Sequence, residues 1–190
     1  MSETKEQDLT GVTSTIETNF KQQSSEELRQ EGVTLLGSGH TEYKDTYDPS
    51  IIQTFENRYP DHDYVVTFDA LEGTSLCPIT KQPDFFKMII SYVPGPLMLE
   101  SKSLKLLLFS WRNTGAYHES IVNTVMRDIR DRISPKFICV RGIFSVRGGI
   151  ALYPQATWAD PNYPEYVELE KQMKLAAIRD AANRTIRYDE

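Results

Sequence analysis

The chain has 190 residues, 39% hydrophobic and 25% charged, which suits one globular domain with a real core and tails. A net charge of −6 argues against general binding to nucleic acid or to an anionic membrane, and no apolar stretch approaches membrane-spanning length. Two cysteines make no disulfide framework and the polar, acidic beginning does not read as a leader, so a reducing, cytoplasmic setting is expected.

Residues 1–31 are rich in Ser, Thr, Gln and Glu and read as a disordered polar tail; Ile16 and Phe20 are too sparse to establish a helix. The β-branched and aromatic run 63–70 predicts a strand. Cys77 follows, with Asp84 seven residues on. Two prolines, Pro78 and Pro83, disfavour a helix there and place both residues on an ordered loop. A thiolate is a nucleophile and a neighbouring acid can move protons for it. By spacing alone the pair also reads as a plain loop cysteine beside a turn aspartate.

Residues 85–93 predict a second strand, closed by Pro94-Gly95-Pro96. Ser101 then offers an N-cap, and Leu104, Leu107, Leu108 and Trp111 draw one buried stripe of a helix that Asn113-Thr114-Gly115 stops. From Tyr117 a second stripe runs through Val122, Val125, Met126, Ile129 and Ile133 to Ser134-Pro135. Residues 137–145 and 149–157 predict a hairpin turning at Gly148-Gly149, and 164–183 predict a last helix with a loosely ordered apolar face. Strand, strand, helix, helix, strand, strand is an α+β order with antiparallel hairpins. Cys139, inside a strand, reads as packing, and no internal repeat is found.

Three segments carry a resemblance. They are the Cys77 loop from Thr74 to Phe85, the run Leu99-Glu100-Ser101-Lys102-Ser103-Leu104-Lys105 with Tyr117-His118-Glu119 after it, and Gly142 to Gly149, with Gly32 to Gly37 upstream. Together they resemble the unimodular QueF-type nitrile reductases, the NADPH-dependent 7-cyano-7-deazaguanine reductases of queuosine biosynthesis, over residues 32–158. The Glu-Ser-Lys-Ser-Leu-Lys run separates these from relatives of the GTP cyclohydrolase I type. Lys81 stands where the family usually has glycine.

The resemblance implies a tunnelling fold (T-fold): a four-stranded antiparallel sheet with two antiparallel helices on one face. Subunits join edge to edge into a homo-oligomeric barrel with active sites between them. Residues 32–158 would form this domain and 159–190 a helical extension. It implies Cys77 as the nucleophile forming a thioimide and Asp84 as proton donor. Leu99, Glu100, Ser101, His118 and Glu119 would contact the deazaguanine, and Lys102, Lys105 and Arg147 the phosphates of NADPH. No Gly-x-Gly-x-x-Gly follows a strand, so a dinucleotide site of the Rossmann type is not expected. His40 has no second ligand at metal spacing, and no metal is expected. An amidine-forming relative using the same thioimide and a noncatalytic base-binding module are the alternative readings.

Overall fold

The computed structural model describes residues 24–34 and 41–183; the readings made for residues 1–23, for Gly37 and for His40 fall outside them. The first element is a helix, α1 (Ser25–Gln30), inside the segment expected to be a tail. Ser24 and Glu27 form a reciprocal capping box, Glu27 N–H donating to Ser24 Oγ at 3.2 Å and Ser24 N–H to Glu27 Oε2 at 2.8 Å. That pattern of a serine followed three residues later by a glutamate was in plain view, and the polar composition hid it.

Four antiparallel strands form the main sheet in the order β2 (Val66–Leu76), β3 (Pro83–Val93), β5 (Phe137–Phe144) and β6 (Gln155–Ala159). A second, two-stranded sheet pairs β1 (Thr54–Glu56) with β4 (Leu97–Leu99), neither of which the sequence suggested. Strand β2 starts later than expected and runs six residues further, through a bulge between Ala70 and Gly73. The bulge breaks the two-residue period, which is why 71–76 did not read as strand. Strand β6 begins at Gln155, although Gly142 and Phe144 still donate to the carbonyls of Pro154 and Leu152 ahead of it. The turn itself is as expected: Gly148 and Gly149 have φ of 59° and 78°, and Arg147 and Ile150 exchange backbone hydrogen bonds of 3.1 Å.

Helices α2 (Ser101–Phe109) and α3 (His118–Ile133) cover one face of the sheet. Met88, Ile90 and Tyr92 of β3 and Ile138 and Val140 of β5 are fully buried against Leu107, Ile121, Val122, Val125, Ile129 and Ile133. Alternation on β3 and 3.6-residue spacing on α3 bring these side chains to one layer. Trp111 lies beyond the end of α2 yet remains in the core, stacked on Tyr47 at 4.0 Å. On the opposite face α4 (Pro164–Ala182) rests Tyr166 and Met173 on Val93, Phe137 and Ala159. Asp63 holds it there, accepting from Tyr166 Oη at 2.6 Å and from Lys136 Nζ at 2.5 Å. Among the described residues no helix is long and apolar enough to cross a membrane.

Candidate active site

Strand β2 ends by pairing with the chain between α2 and α3. Leu76 N–H donates to Thr114 O, and Ala116 N–H to Leu76 O, both at 3.1 Å. Gly115 makes this approach possible: a Cβ there would sit 3.2 Å from Pro78 Cα. The bridge sets Cys77, the next residue of β2's path, beside the start of α3. The loop back to β3 is closed by Cys77 N–H donating to Gln82 O at 2.8 Å and Lys81 N–H to Cys77 O at 3.1 Å.

Cys77 is only 7% exposed, and its thiol is lowered from its ordinary value to about 7. The Thr80 hydroxyl is the chief cause, followed by the backbone N–H groups of Thr80 and Ile79; Arg147 adds to them, and burial opposes them. A thiol of that kind is substantially thiolate at neutral pH. Cys139, by contrast, is raised by burial in its strand and acts as packing.

Asp84 does not sit on the loop. It is the second residue of β3 and lies opposite Ser75 across the ladder. Its position continues the buried stripe of Phe86, Met88, Ile90 and Tyr92, so the alternation of the strand turns it inward. At 5% exposure a carboxylate needs compensation. Arg147 Nη1 donates to Oδ1 at 2.7 Å, and His118 Nε2 approaches Oδ2 at 3.3 Å. The latter pair is not aligned as a hydrogen bond, so Asp84 Oδ2 and His118 Nε2 are buried polar atoms facing one another without a bonded partner. Such atoms mark where a polar ligand group fits. Ser75 Oγ is a third. The ring of His118 lies flat on Phe144, centroids 3.9 Å apart and planes 11° from parallel.

Glu119 stands next to His118 in the first turn of α3, exposed, with the helix dipole behind it. Leu99, Glu100 and Ser101 lie where β4 runs into α2. Here the reading of Ser101 as N-cap is corrected: Glu100 is the cap, its buried carboxylate accepting from Lys102 N–H at 2.8 Å and Ser103 N–H at 2.6 Å. A glutamate reaching over its own helix start is less common than a serine doing so, which is what misdirected the pattern.

Lys105, on the exposed side of α2, lines a cavity of about 750 Å³ between that helix and β2, with Tyr43, Phe68, Ser101, Phe109 and Arg112. Arg112 lies over the Phe109 ring at 4.4 Å and Lys105 Nζ over the Tyr43 ring at 5.8 Å. A second cavity of about 440 Å³ shares Leu71, Glu72, Thr74 and Arg112 with the first and reaches Phe144, the ring beneath His118. Lys102 is one turn from Lys105 on α2, whereas Arg147, expected with them, is at Asp84 on the β5–β6 hairpin. Thr80, Ser75 and Phe144 belong to the site and escaped the sequence.

The QueF-like protein family matches residues 83–163. The chain is 52% identical over 132 residues to the NADPH-dependent 7-cyano-7-deazaguanine reductase of Bacteroides fragilis, covering 70% of this chain and 87% of that protein. It is 50% identical over 135 residues to the protein of the same name from Neisseria gonorrhoeae, covering 71% and 85%. The crystal structure of an archaeosine synthase QueF-Like in the apo form aligns with 49% of this chain and 91% of its own, at 24% identity and a TM-score of 0.46.

Two outcomes follow from the loop. Thr80→Val removes the main donor to the thiolate, so the pH midpoint for alkylation of Cys77 by iodoacetamide rises from about 7 toward the free-thiol value near 8.5. Lys81 has φ of 59°, a conformation open to glycine without strain, so Lys81→Gly raises the free energy of unfolding in urea by roughly 0.5–1 kcal/mol.

Proposed function

The chain belongs to the QueF-like family of NADPH-dependent 7-cyano-7-deazaguanine reductases, and from that premise we infer a thioimide mechanism centred on Cys77. It reduces the nitrile of 7-cyano-7-deazaguanine to the aminomethyl group, a step of queuosine biosynthesis. The observation that carries the mechanism is a buried, acidified thiol on a loop that leads into a buried Asp84, which His118 and Arg147 both approach.

Adduct formation adds S–H across the C≡N bond. Sulfur bonds to carbon, one π pair moves to nitrogen, and nitrogen takes the proton that the thiol has given up. Asp84 is the group that moves it. NADPH, when bound, supplies hydride, and two are needed because a nitrile and a primary amine differ by four electrons. Each addition leaves a nitrogen that needs a proton, so one buried carboxyl has to be recharged within a turnover. His118, 3.3 Å from Oδ2, is placed to recharge it. Cys77 leaves as thiolate between the two additions and gives an imine that stays in the site.

Glu119 accepts from the ring N–H and exocyclic amine of the deazaguanine, as a carboxylate facing a guanine edge can. Leu99, Glu100 and Ser101 shape the wall beside it, Glu100 by fixing the start of α2. Lys102 and Lys105 would hold the cofactor's phosphates. The larger cavity suits a dinucleotide, with cations on the α2 side and the rings of Tyr43, Phe68 and Phe109 for a base to lie on.

The four-stranded sheet with α2 and α3 on one face supports a tunnelling-fold subunit. Its outer strands β2 and β6 present edges that further copies can pair with, closing a homo-oligomeric ring with sites between subunits. The protein works in the cytoplasm, without nucleic acid or membrane as partner.

Intact mass after mixing with the nitrile alone decides the chemistry. Wild type gains the mass of one substrate and Cys77→Ala gains none, while Cys139→Ala behaves as wild type. Following absorbance of NADPH against amine formed gives a ratio of about two in the reductase and no consumption in an amidine-forming enzyme. Light scattering gives a mass several times that of one chain; an active monomer removes the interfacial site.

A further inference from the structure

We propose that the buried hydroxyl of Ser75 joins Asp84 Oδ2 and His118 Nε2 in holding a single water, through which protons from solvent reach Asp84 during the two hydride additions. Ser75 is then a positioning residue of the reduction and takes no part in forming the adduct. The inference rests on the thioimide reading above. It goes beyond that reading by separating the protons that reduction consumes from the one that adduct formation only relocates.

Three observations carry it. Ser75 pairs with Asp84 across the β2–β3 ladder. Residues directly opposite one another in an antiparallel pair send their side chains to one face, with Cβ atoms about 4.5–5.5 Å apart. That face is the inward one, because Gly73 and Ser75 on β2 and Asp84, Phe86 and Met88 on β3 are all buried, Ser75 completely. Ser75 Oγ, Asp84 Oδ2 and His118 Nε2 are each buried without a hydrogen-bond partner. His118 Nε2 is 3.3 Å from Oδ2 yet not aligned as a hydrogen bond, so a proton needs a carrier to pass between them.

An orphaned polar group in a core costs about 1–3 kcal/mol, and here three share one place. A buried water answers for all of them, since such waters make about three hydrogen bonds to polar groups otherwise unsatisfied. A serine suits the third position because its hydroxyl donates or accepts as the state of its neighbours requires.

The chemistry gives this water a use. Adduct formation is proton-neutral: the hydrogen that leaves sulfur is the one that reaches nitrogen, and Asp84 ends the step as it began. Reduction is different. Each hydride bonds to carbon, the π pair moves to nitrogen, and nitrogen takes a proton that neither NADPH nor Cys77 supplies. Between the two additions the C–S bond breaks with its pair on sulfur, and sulfur recovers its proton from nitrogen. Two protons therefore enter from solvent in each turnover. A water held by three groups can pass them on without being free to attack the imine.

The test compares the two halves of the reaction in the full chain. Ser75→Ala is mixed rapidly with 7-cyano-7-deazaguanine without NADPH, and the near-ultraviolet band of the thioimide is followed. Its rate of appearance is expected within about threefold of wild type. With NADPH present, kcat is expected to fall about tenfold or more, while KM for nitrile and cofactor moves by less than about threefold. The solvent isotope effect on kcat in D2O should grow, because proton delivery has become slow. Ser75→Thr, which keeps the hydroxyl, should recover kcat, and an unchanged melting temperature of Ser75→Ala shows that the fold is intact. A normal kcat in Ser75→Ala would overturn the inference. So would adduct formation that falls in parallel with kcat, which would put the hydroxyl on the substrate's nitrogen or make its role structural. A wild-type chain that forms no thioimide would remove the underlying mechanism as well.

Discussion

A carboxylate buried at the end of an apolar stripe is the constraint around which this protein is arranged. Asp84 occupies a position that strand alternation assigns to the core, one place along from Phe86 and in line with three fully buried side chains. Such a group is tolerated only with a partner in place, and removing one partner from a buried ion pair costs about 3–5 kcal/mol. Its cation therefore has to arrive from a rigid element. The two-glycine turn between β5 and β6 does this by projecting the hairpin past the end of the sheet, with Phe144 packed inward and Arg147 just beyond it. The same hairpin then carries the ring on which His118 lies. One electrostatic requirement thus explains why the sheet's third strand, helix α3 and the more acidic of the two thiols meet at one place.

The thiol is acidified by a different and more local device. The loop 77–82 is closed on itself by backbone hydrogen bonds, which turns the Thr80 hydroxyl and two backbone donors toward Sγ. These are hydrogen bonds to the charged form, and they outweigh the burial that works the other way. Lys81 carries the conformational strain of that closure in its left-handed backbone. A glycine would relieve it, so the lysine is tolerated because the remaining loop and the Gly115 bridge hold its neighbours on both sides.

Much of the architecture was legible from periodicity alone. Of the stripe from Val122 to Ile133, Val122, Val125, Ile129 and Ile133 are fully buried and Met126 partly so, and the strand expected over 85–93 buries Phe86, Met88, Ile90 and Tyr92. What escaped has particular causes. The β2 bulge interrupts alternation, the three-residue strands β1 and β4 are too short to show a period, and Glu100 caps a helix from a residue type that more often sits inside one. Within the site, Asp84 meets His118 from α3 and Arg147 from the hairpin, an order in space that was not readable. Arg147 is 63 residues from Asp84 in sequence, and only the β3–β5 pairing makes them neighbours. The inward turn of Asp84 was readable, since a charged residue in phase with Phe86, Met88 and Ile90 is itself a sign of function.

The chemistry adds a demand that a single chain meets only in part. An imine released to water hydrolyses to an aldehyde, so the pocket has to stay dry between two hydride additions. Cys77 and Asp84 are already shielded. Their sequence neighbours are not: Ile79 is 74% exposed, Phe85 54%, Tyr117 60% and Val146 65%. These four come from the thiol loop, the start of β3, the cap of α3 and the hairpin, the same elements that supply Cys77, Asp84, His118 and Arg147. An apolar rim of this kind around a polar centre is what a second surface would cover, and covering it expels water from the site without touching any reacting atom. In the proposed ring the neighbouring copy supplies that surface. Sheet edges and catalytic rim are then two parts of one requirement, because pairing at the edges is what brings the cover into place.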